Sequence, residues 1–157
     1  MATDYERIRS QAIALLDGER DAVANAANLS ALIAAELPDL NWAGFYFARG
    51  DELVLGPFQG KPACVRIGFG AGVCGAAWAQ MRTLVVPDVH AFAGHIACDA
   101  ASNAEIVVPL VAPTGEFVGV LDVDSPMVNR FGEQDRALLE ALGQLFVNAS
   151  DIAAARQ

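Results

Sequence analysis

Positive charge is scarce in this sequence. Of 157 residues, 10 are Lys or Arg against 19 Asp and Glu, giving a formal net charge of -9, and Lys61 is the single lysine. No basic cluster exists to offset phosphate charge, which excludes a nucleic-acid backbone and an anionic membrane surface as partners. Charge of either sign is low, 18%, while 54% of residues are hydrophobic. That balance supports a buried core and excludes disorder as the overall state. Long apolar runs are also missing: nothing approaches the roughly 18 uninterrupted residues of a membrane span. The N-terminal Met1–Arg7 segment has neither the basic region nor the apolar stretch of a signal peptide. The expected compartment is the cytoplasm, where thiols rest reduced and a disulfide is catalytic or transient. Cysteine is limited to three residues, none in a CxxC pair, so zinc-ribbon and thioredoxin-type motifs are absent. The glycines from Gly68 to Gly75 do not make a phosphate loop, because no Lys follows in the required place.

What is present fits one domain spanning 1–157, with no internal repeat and no linker. Thr3 to Glu6 has the form of a capping box with Thr3 as N-cap, and Ile8, Ala12, Leu15 and Leu16 recur at helical spacing up to Gly18. A second helix is predicted from about Arg20 to Glu36, ended by Pro38. From Asn41 the period becomes two: Trp42, Gly44 and Tyr46 share one strand face, Ala43, Phe45 and Phe47 the other. Arg49–Asp51 is a turn and Glu52–Gly56 the returning strand. Cys64–Ile67 reads as a third strand, Val73–Met81 as a short helix and Thr83–Val86 as a fourth strand. A long irregular segment, Asp88 to Asn103, holds both histidines and Cys98, and loops of that length in compact domains are commonly functional. Glu105–Val111 and Glu116–Asp124 form a hairpin, and a last helix is predicted from Glu133 to Ala153. Two helices, three strands, a helix, three strands and a helix, joined by short connections, predict an α+β fold: a central six-stranded antiparallel sheet with helices packed on its faces.

The residues able to carry chemistry concentrate around the long segment. Cys64, Cys74 and Cys98 are open to three readings: buried small hydrophobes, a metal site in which Cys98 joins His90 and His95, or thiol redox chemistry. Cys98 lies in a loop, where cysteines react. Glu105 opens one strand, and Asp122 and Asp124, two apart, point to a single sheet face. Such a carboxylate group suits an ammonium ion better than a phosphate, and it opposes thiolate formation nearby until a cation neutralises it. Trp42 and Tyr46 are either core or an aromatic wall for a small apolar group. His90 and His95 are candidate acid/base groups or plain backbone hydrogen-bonders.

Asn41–Tyr46 (NWAGFY), Gly72–Gly75 (GVCG), Asp88–Phe92 (DVHAF) with Gly94–Asp99 (GHIACD), Ser102–Leu110 (SNAEIVVPL) and Gly119–Pro126 (GVLDVDSP) together resemble the free methionine-(R)-sulfoxide reductases, which are single-domain GAF proteins. The resemblance runs from Asn41 to Phe146 and includes the spacing of all three cysteines; the N-terminal helices match only in type. It implies a GAF-like fold and reduction of free L-methionine-(R)-sulfoxide to methionine. Cys98 is the implied nucleophile, Cys64 the main resolving cysteine and Cys74 a second or alternate one. Glu105, Asp122 and Asp124 are implied to bind the substrate's ammonium and sulfoxide groups, with Glu105 or Asp124 supplying a proton. Trp42 and Tyr46 are implied to line the S-methyl end. No bound cofactor or metal is expected. Thioredoxin is the implied reductant, fed by NADPH through thioredoxin reductase, in a homodimeric enzyme of oxidative-stress repair. For the substrate carboxylate, the backbone N–H groups of His95 to Cys98 are the expected donors. Two other classes remain open at this point: a non-catalytic GAF sensor of a small molecule, and a zinc-dependent hydrolase using His90 and His95.

Overall fold

The computed structural model describes residues 2–96 and 98–155; the expectations for Met1, Ala97, Arg156 and Gln157 lie outside the described residues. Two helices open the chain. The first, α1 (Tyr5–Leu16), buries Ile8, Ala12 and Leu16, and the second, α2 (Ala22–Glu36), buries Leu29 and Ile33 along one stripe. The N-cap of α1 is Asp4 rather than the expected Thr3: its carboxylate accepts the Arg7 N–H at 3.0 Å. Asp21 does the same for the Ala24 N–H at 2.8 Å. In both cases a carboxylate satisfies one of the orphan donors of the first turn.

The sheet comprises β1 (Trp42–Arg49), β2 (Glu52–Gly60), β3 (Arg66–Gly68), β4 (Leu84–Val86), β5 (Ala104–Val111) and β6 (Phe117–Ser125). Its order is β3-β2-β1-β6-β5-β4 and every pair is antiparallel, as the hairpin spacing predicts. A helix α3 (Gly72–Gln80) joins β3 to β4, and α4 (Glu133–Ala149) with a short α5 (Ile152–Ala155) closes the chain.

The alternation along β1 divides the molecule. Ala43, Phe45 and Phe47 pack with Leu121, Val123, Ile106 and Val108 beneath α1, α2 and α4. Trp42 and Tyr46 pack on the opposite face with Val107, Val120 and the Val73, Cys74 and Ala77 side of α3. Period two in the strand thus sends one set of side chains to the main core and the other to a smaller cluster beneath α3.

Three boundaries depart from expectation. Cys64 is not on a strand: β2 runs on to Gly60, and β3 begins only at Arg66. The β2–β3 ladder ends at Val54 opposite Arg66, followed by one bond from Leu55 N–H to the Val65 carbonyl at 2.9 Å, so Pro57 lies past the pairing with β3 and interrupts none of it. The predicted last helix breaks at Ser150, whose extended backbone ends α4; the Ser150 hydroxyl accepts from Asn25, and the Asp151 N–H is held by the Arg20 carbonyl at 2.7 Å. The long segment, finally, holds one 3-10 turn among its described residues, at Val89–Ala91. Val89 N–H bonds to Asn103 C=O and Asn103 N–H to Ser125 C=O, each at 2.8 Å, so the far end of the loop is pinned to β6.

Candidate active site

The β1–β6–β5 register builds a ledge of acids. Trp42 stands opposite Asp124, Gly44 opposite Asp122, and Asp124 in turn opposite Glu105. All three carboxylates point to the α3 side and line one pocket with Trp42, Tyr46, Cys74, Cys98 and His95. Gly44 is required between the two aromatics: a Cβ there would collide with Phe58 and with the Trp42 ring at 2.8 Å. Trp42 stacks on Phe58 (ring centroids 5.1 Å) and on Tyr46 (5.9 Å), forming the aromatic wall.

Both aromatics also do something the residue pattern did not foretell. Trp42 Nε1 donates to the Lys61 carbonyl at 3.2 Å, and the Tyr46 hydroxyl donates to the Cys64 carbonyl at 2.9 Å. They hold the β2–β3 connection that carries Cys64. Cys64 and Cys98 form a disulfide with Cα atoms 5.5 Å apart, which joins two loops separated by 34 positions in sequence. Cys74 remains a free, buried thiol on α3, its Sγ 4.0 Å from Glu105 Oε2.

Burial dominates the electrostatics. Glu105, Asp122 and Asp124 are each at most 9% exposed. Desolvation, reinforced by repulsion from Asp124, pushes Asp122 up to about 8. Desolvation with Asp122 beside it raises Glu105 well above the carboxylate range, and desolvation with Glu105 beside it does the same for Asp124. The ledge therefore holds protons and shares them through hydrogen bonds between Glu105 and its two neighbours. Asp122 Oδ1 is buried without a protein partner. The expected suppression of thiolate falls first on Cys74, which burial and then the charges of Asp122, Glu105 and Asp124 push well up. Burial likewise raises the Tyr46 phenol, leaving it a donor.

The histidines separate. His90 Nε2 pairs with Asn103 Oδ1 at 3.0 Å on the exposed side, while His95 reaches the pocket, its pKa lowered by burial and then by His90. The ring centroids are 6.3 Å apart. Cys98 is committed to Cys64, so the His90–His95–Cys98 metal set is not assembled. Among the described residues, the group close enough to hold a cation is instead Cys74, Glu105 and Asp122, with ligand atoms all within 4.8 Å of one another. Of the N–H groups expected to meet the substrate carboxylate, His95 N–H bonds to Phe92 C=O and Cys98 N–H to Ile96 C=O, which leaves that of Ile96, and Ala97 lies outside the described residues. Further donors lie at the start of α3: Gly72 and Val73 line the pocket at a helix end with no side-chain cap, while the Ala71 N–H is taken by the Gly68 carbonyl at 3.0 Å. An uncapped N-terminus facing a cavity is the pattern that would have flagged it, but only once the topology places it there.

Comparison with known proteins bears on this geometry. The GAF domain family profile matches residues 8–149. The free methionine-R-sulfoxide reductase of Escherichia coli is 55% identical over 129 residues, covering 82% of this chain and 78% of that protein. Protein YtsP of Bacillus subtilis is 53% identical over 148 residues, covering 93% and 90%. The X-ray structure of free methionine-R-sulfoxide reductase from Neisseria meningitidis in complex with its substrate superposes with a TM-score of 0.91 at 43% identity, covering 100% of this chain and 95% of that one.

Proposed function

This chain belongs to the GAF domain family and, within it, to the free methionine-R-sulfoxide reductases; from that premise we propose that it reduces free L-methionine-(R)-sulfoxide to methionine by thiol chemistry on Cys98. The observation that carries the reading is the Cys64–Cys98 disulfide, whose Cys98 lines a pocket together with three buried carboxyls. A ligand-sensing module has no use for that pair of features, whereas a sulfoxide reductase needs both.

The zwitterionic substrate would place its ammonium group on the ledge, where Asp122 Oδ1 awaits a donor. Its carboxylate would meet the free N–H groups at the start of α3, where the helix dipole favours an anion. The S-methyl group would lie against Trp42 and Tyr46. The Cys98 sulfur attacks the sulfoxide sulfur while a protonated carboxyl of the ledge, Glu105 or Asp124, gives its proton to the oxygen. The products are methionine and a Cys98 sulfenic acid. The Cys64 thiol condenses with that acid, releasing water and forming the disulfide. A dithiol such as thioredoxin then takes over the disulfide bond and returns both thiols; NADPH supplies the electrons through thioredoxin reductase. Cys74 would serve as an alternate resolving thiol. The protein needs no bound cofactor for this cycle.

The reading extends to a cytoplasmic homodimer in which 1–157 acts as one domain. Among the described residues no helix is long and apolar enough to cross a membrane. Ile13, Leu15 and Val23 stand exposed on α1 and α2 and offer an apolar surface to a second copy. The deciding test follows loss of free methionine-R-sulfoxide with thioredoxin, thioredoxin reductase and NADPH, using the S epimer as control. Cys98→Ser should abolish turnover while substrate still binds. Full activity in that variant, or equal turnover of both epimers, rejects the proposal.

A further inference from the structure

Asn41 precedes β1 and lies outside the pocket lining, yet its side chain makes two bonds into the segment that follows Cys98. Asn41 Nδ2 donates to Asp99 Oδ2 at 3.1 Å and to Ser102 Oγ at 3.0 Å. Its backbone is fixed in turn: Asn41 N–H bonds to Asp124 C=O at 3.0 Å. Asp99 completes the turn by accepting the Ala101 N–H at 2.9 Å. One amide therefore connects the strand that carries Asp124 to both ends of the Asp99–Ser102 turn.

We infer that Asn41 is a positioning residue that holds Cys98 in place whenever the disulfide is open. This rests on the reading of Cys98 as the nucleophile. In the oxidised protein Cys98 is held covalently by Cys64. Once that bond is reduced, the cysteine depends on its neighbours. Within the Cys98–Ala101 segment, the side-chain bond that Asp99 accepts from Asn41 leads directly to the sheet. The reactive sulfur must stay within reach of two targets in succession, first the substrate sulfur above the acid ledge and then Cys64. A displacement of about 1 Å at such a group costs on the order of a hundredfold in rate. Asn41 also keeps its Oδ1 buried without a protein partner, an arrangement that costs stability. The amide is thus oriented by its two donor bonds, not by satisfaction of its own acceptor.

The test exchanges the pair. Asn41→Asp alone removes both donor bonds and sets a second carboxylate against Asp99. Asp99→Asn alone turns an N–H2 group toward either Asn41 or the Ala101 N–H. The double exchange Asn41→Asp with Asp99→Asn restores the bond with donor and acceptor reversed, and the Ser102 hydroxyl can donate in place of accepting. Two readouts on the reduced proteins are used. The first is kcat/KM for free methionine-R-sulfoxide. The second is the rate of Cys64–Cys98 closure by diamide, which takes two electrons and two protons from the dithiol and needs no sulfoxide activity. Each single variant should lose about ten- to a hundredfold in both, with a melting temperature that accounts for no loss of folded protein, and the exchange should recover most of both rates. Wild-type rates in Asn41→Asp, or a folded double variant no faster than the singles, overturns the inference. Should wild-type protein lack sulfoxide turnover, the function proposal fails while the diamide arm still decides the role of Asn41.

Discussion

Replacing Asp122 by Asn should stabilise the empty protein at alkaline pH while disabling it. Asp122 is 6% exposed and titrates at about 8, against 3.8 for an unhindered aspartate. The unfolded chain releases this proton near pH 4, whereas the folded chain keeps it to about pH 8. Between those values the folded state binds more protons, so its stability declines as pH rises; the cost is absent below the unfolded pKa and complete above the folded one. From the two values, the penalty is about 2 kcal/mol at pH 5 and about 5 kcal/mol at pH 8. Asn removes the ionisation, accepts from the Cys74 thiol and donates to Glu105. Glu105 ionises more readily once Asp122 is neutral, which returns part of the gain. We expect a net stabilisation of about 2–3 kcal/mol at pH 8, or a rise of roughly 5–10 °C in Tm for a domain of this size, and little change at pH 4. The assay is thermal unfolding of reduced, ligand-free protein across pH 4–8.5, with kcat/KM measured in parallel. Loss of the ammonium partner should lower kcat/KM by about thirtyfold or more, since truncating one side of a buried charged pair costs about 2–5 kcal/mol. A variant less stable than wild type at pH 8, or equally stabilised at pH 4 and 8, refutes the idea that the ledge is held under electrostatic strain.

Other expectations follow from the same geometry. N-acetylation of the substrate removes the ammonium group and leaves the buried ledge unpaired, so N-acetylmethionine-R-sulfoxide should be turned over about 10⁴-fold less efficiently than the free amino acid; comparable kcat/KM for the two would remove the basis for free-substrate preference. In the reduced protein Cys74 should resist iodoacetamide while Cys64 and Cys98 are labelled, because burial and the acids keep it a thiol; peptide mapping that finds Cys74 labelled first would contradict this. Tyr46→Phe removes the donor to the Cys64 carbonyl, which should cost about 1 kcal/mol, or about 2–4 °C in Tm, and slow disulfide closure severalfold, as followed by loss of free thiol.

Periodicity made the fold readable. The alternation from Trp42 to Phe47 assigns both faces of the central strand, and the Asp122–Asp124 spacing places both acids on the pocket side without any coordinates. The three cysteines and Glu105 were recognisable as a set because their motifs are local runs of sequence. The limits appear where long-range contacts override local pattern. Cys64 reads as strand because Val65 and Ile67 follow it, yet β3 pairs only through Glu52–Val54 of β2, so the cysteine is left on a connection. The last helix shows no sequence break at Ser150, because the contacts that end it come from Asn25 and Arg20, 125 or more positions away. The start of α3 was not legible for a similar reason: Gly72 and Val73 carry no chemistry of their own, and only the topology brings them to the pocket.

One strand governs the redox centre. Trp42 and Tyr46 bond to the segment that carries Cys64, while Asn41 bonds to the turn that follows Cys98. Six consecutive positions, 41 to 46, therefore set both halves of a disulfide whose cysteines both lie in loops. Phe45, on the opposite face of the same run, is fully buried against Phe146 with ring centroids 4.8 Å apart, so the run itself is anchored in the main core. Loops alone would leave the two sulfurs free to drift apart after each reduction, and every turnover would begin with a search for the correct approach. On the proposed mechanism, hydrogen bonds from this anchored run would instead keep the two thiols near their bonding distance after reduction. The acids of the ledge lie on the neighbouring strands in register with this run. On the proposed mechanism, the acids that would meet the substrate ammonium, the attacking sulfur and the resolving sulfur are thus all referenced to β1, which is how a domain of 157 residues would hold a multistep thiol cycle together.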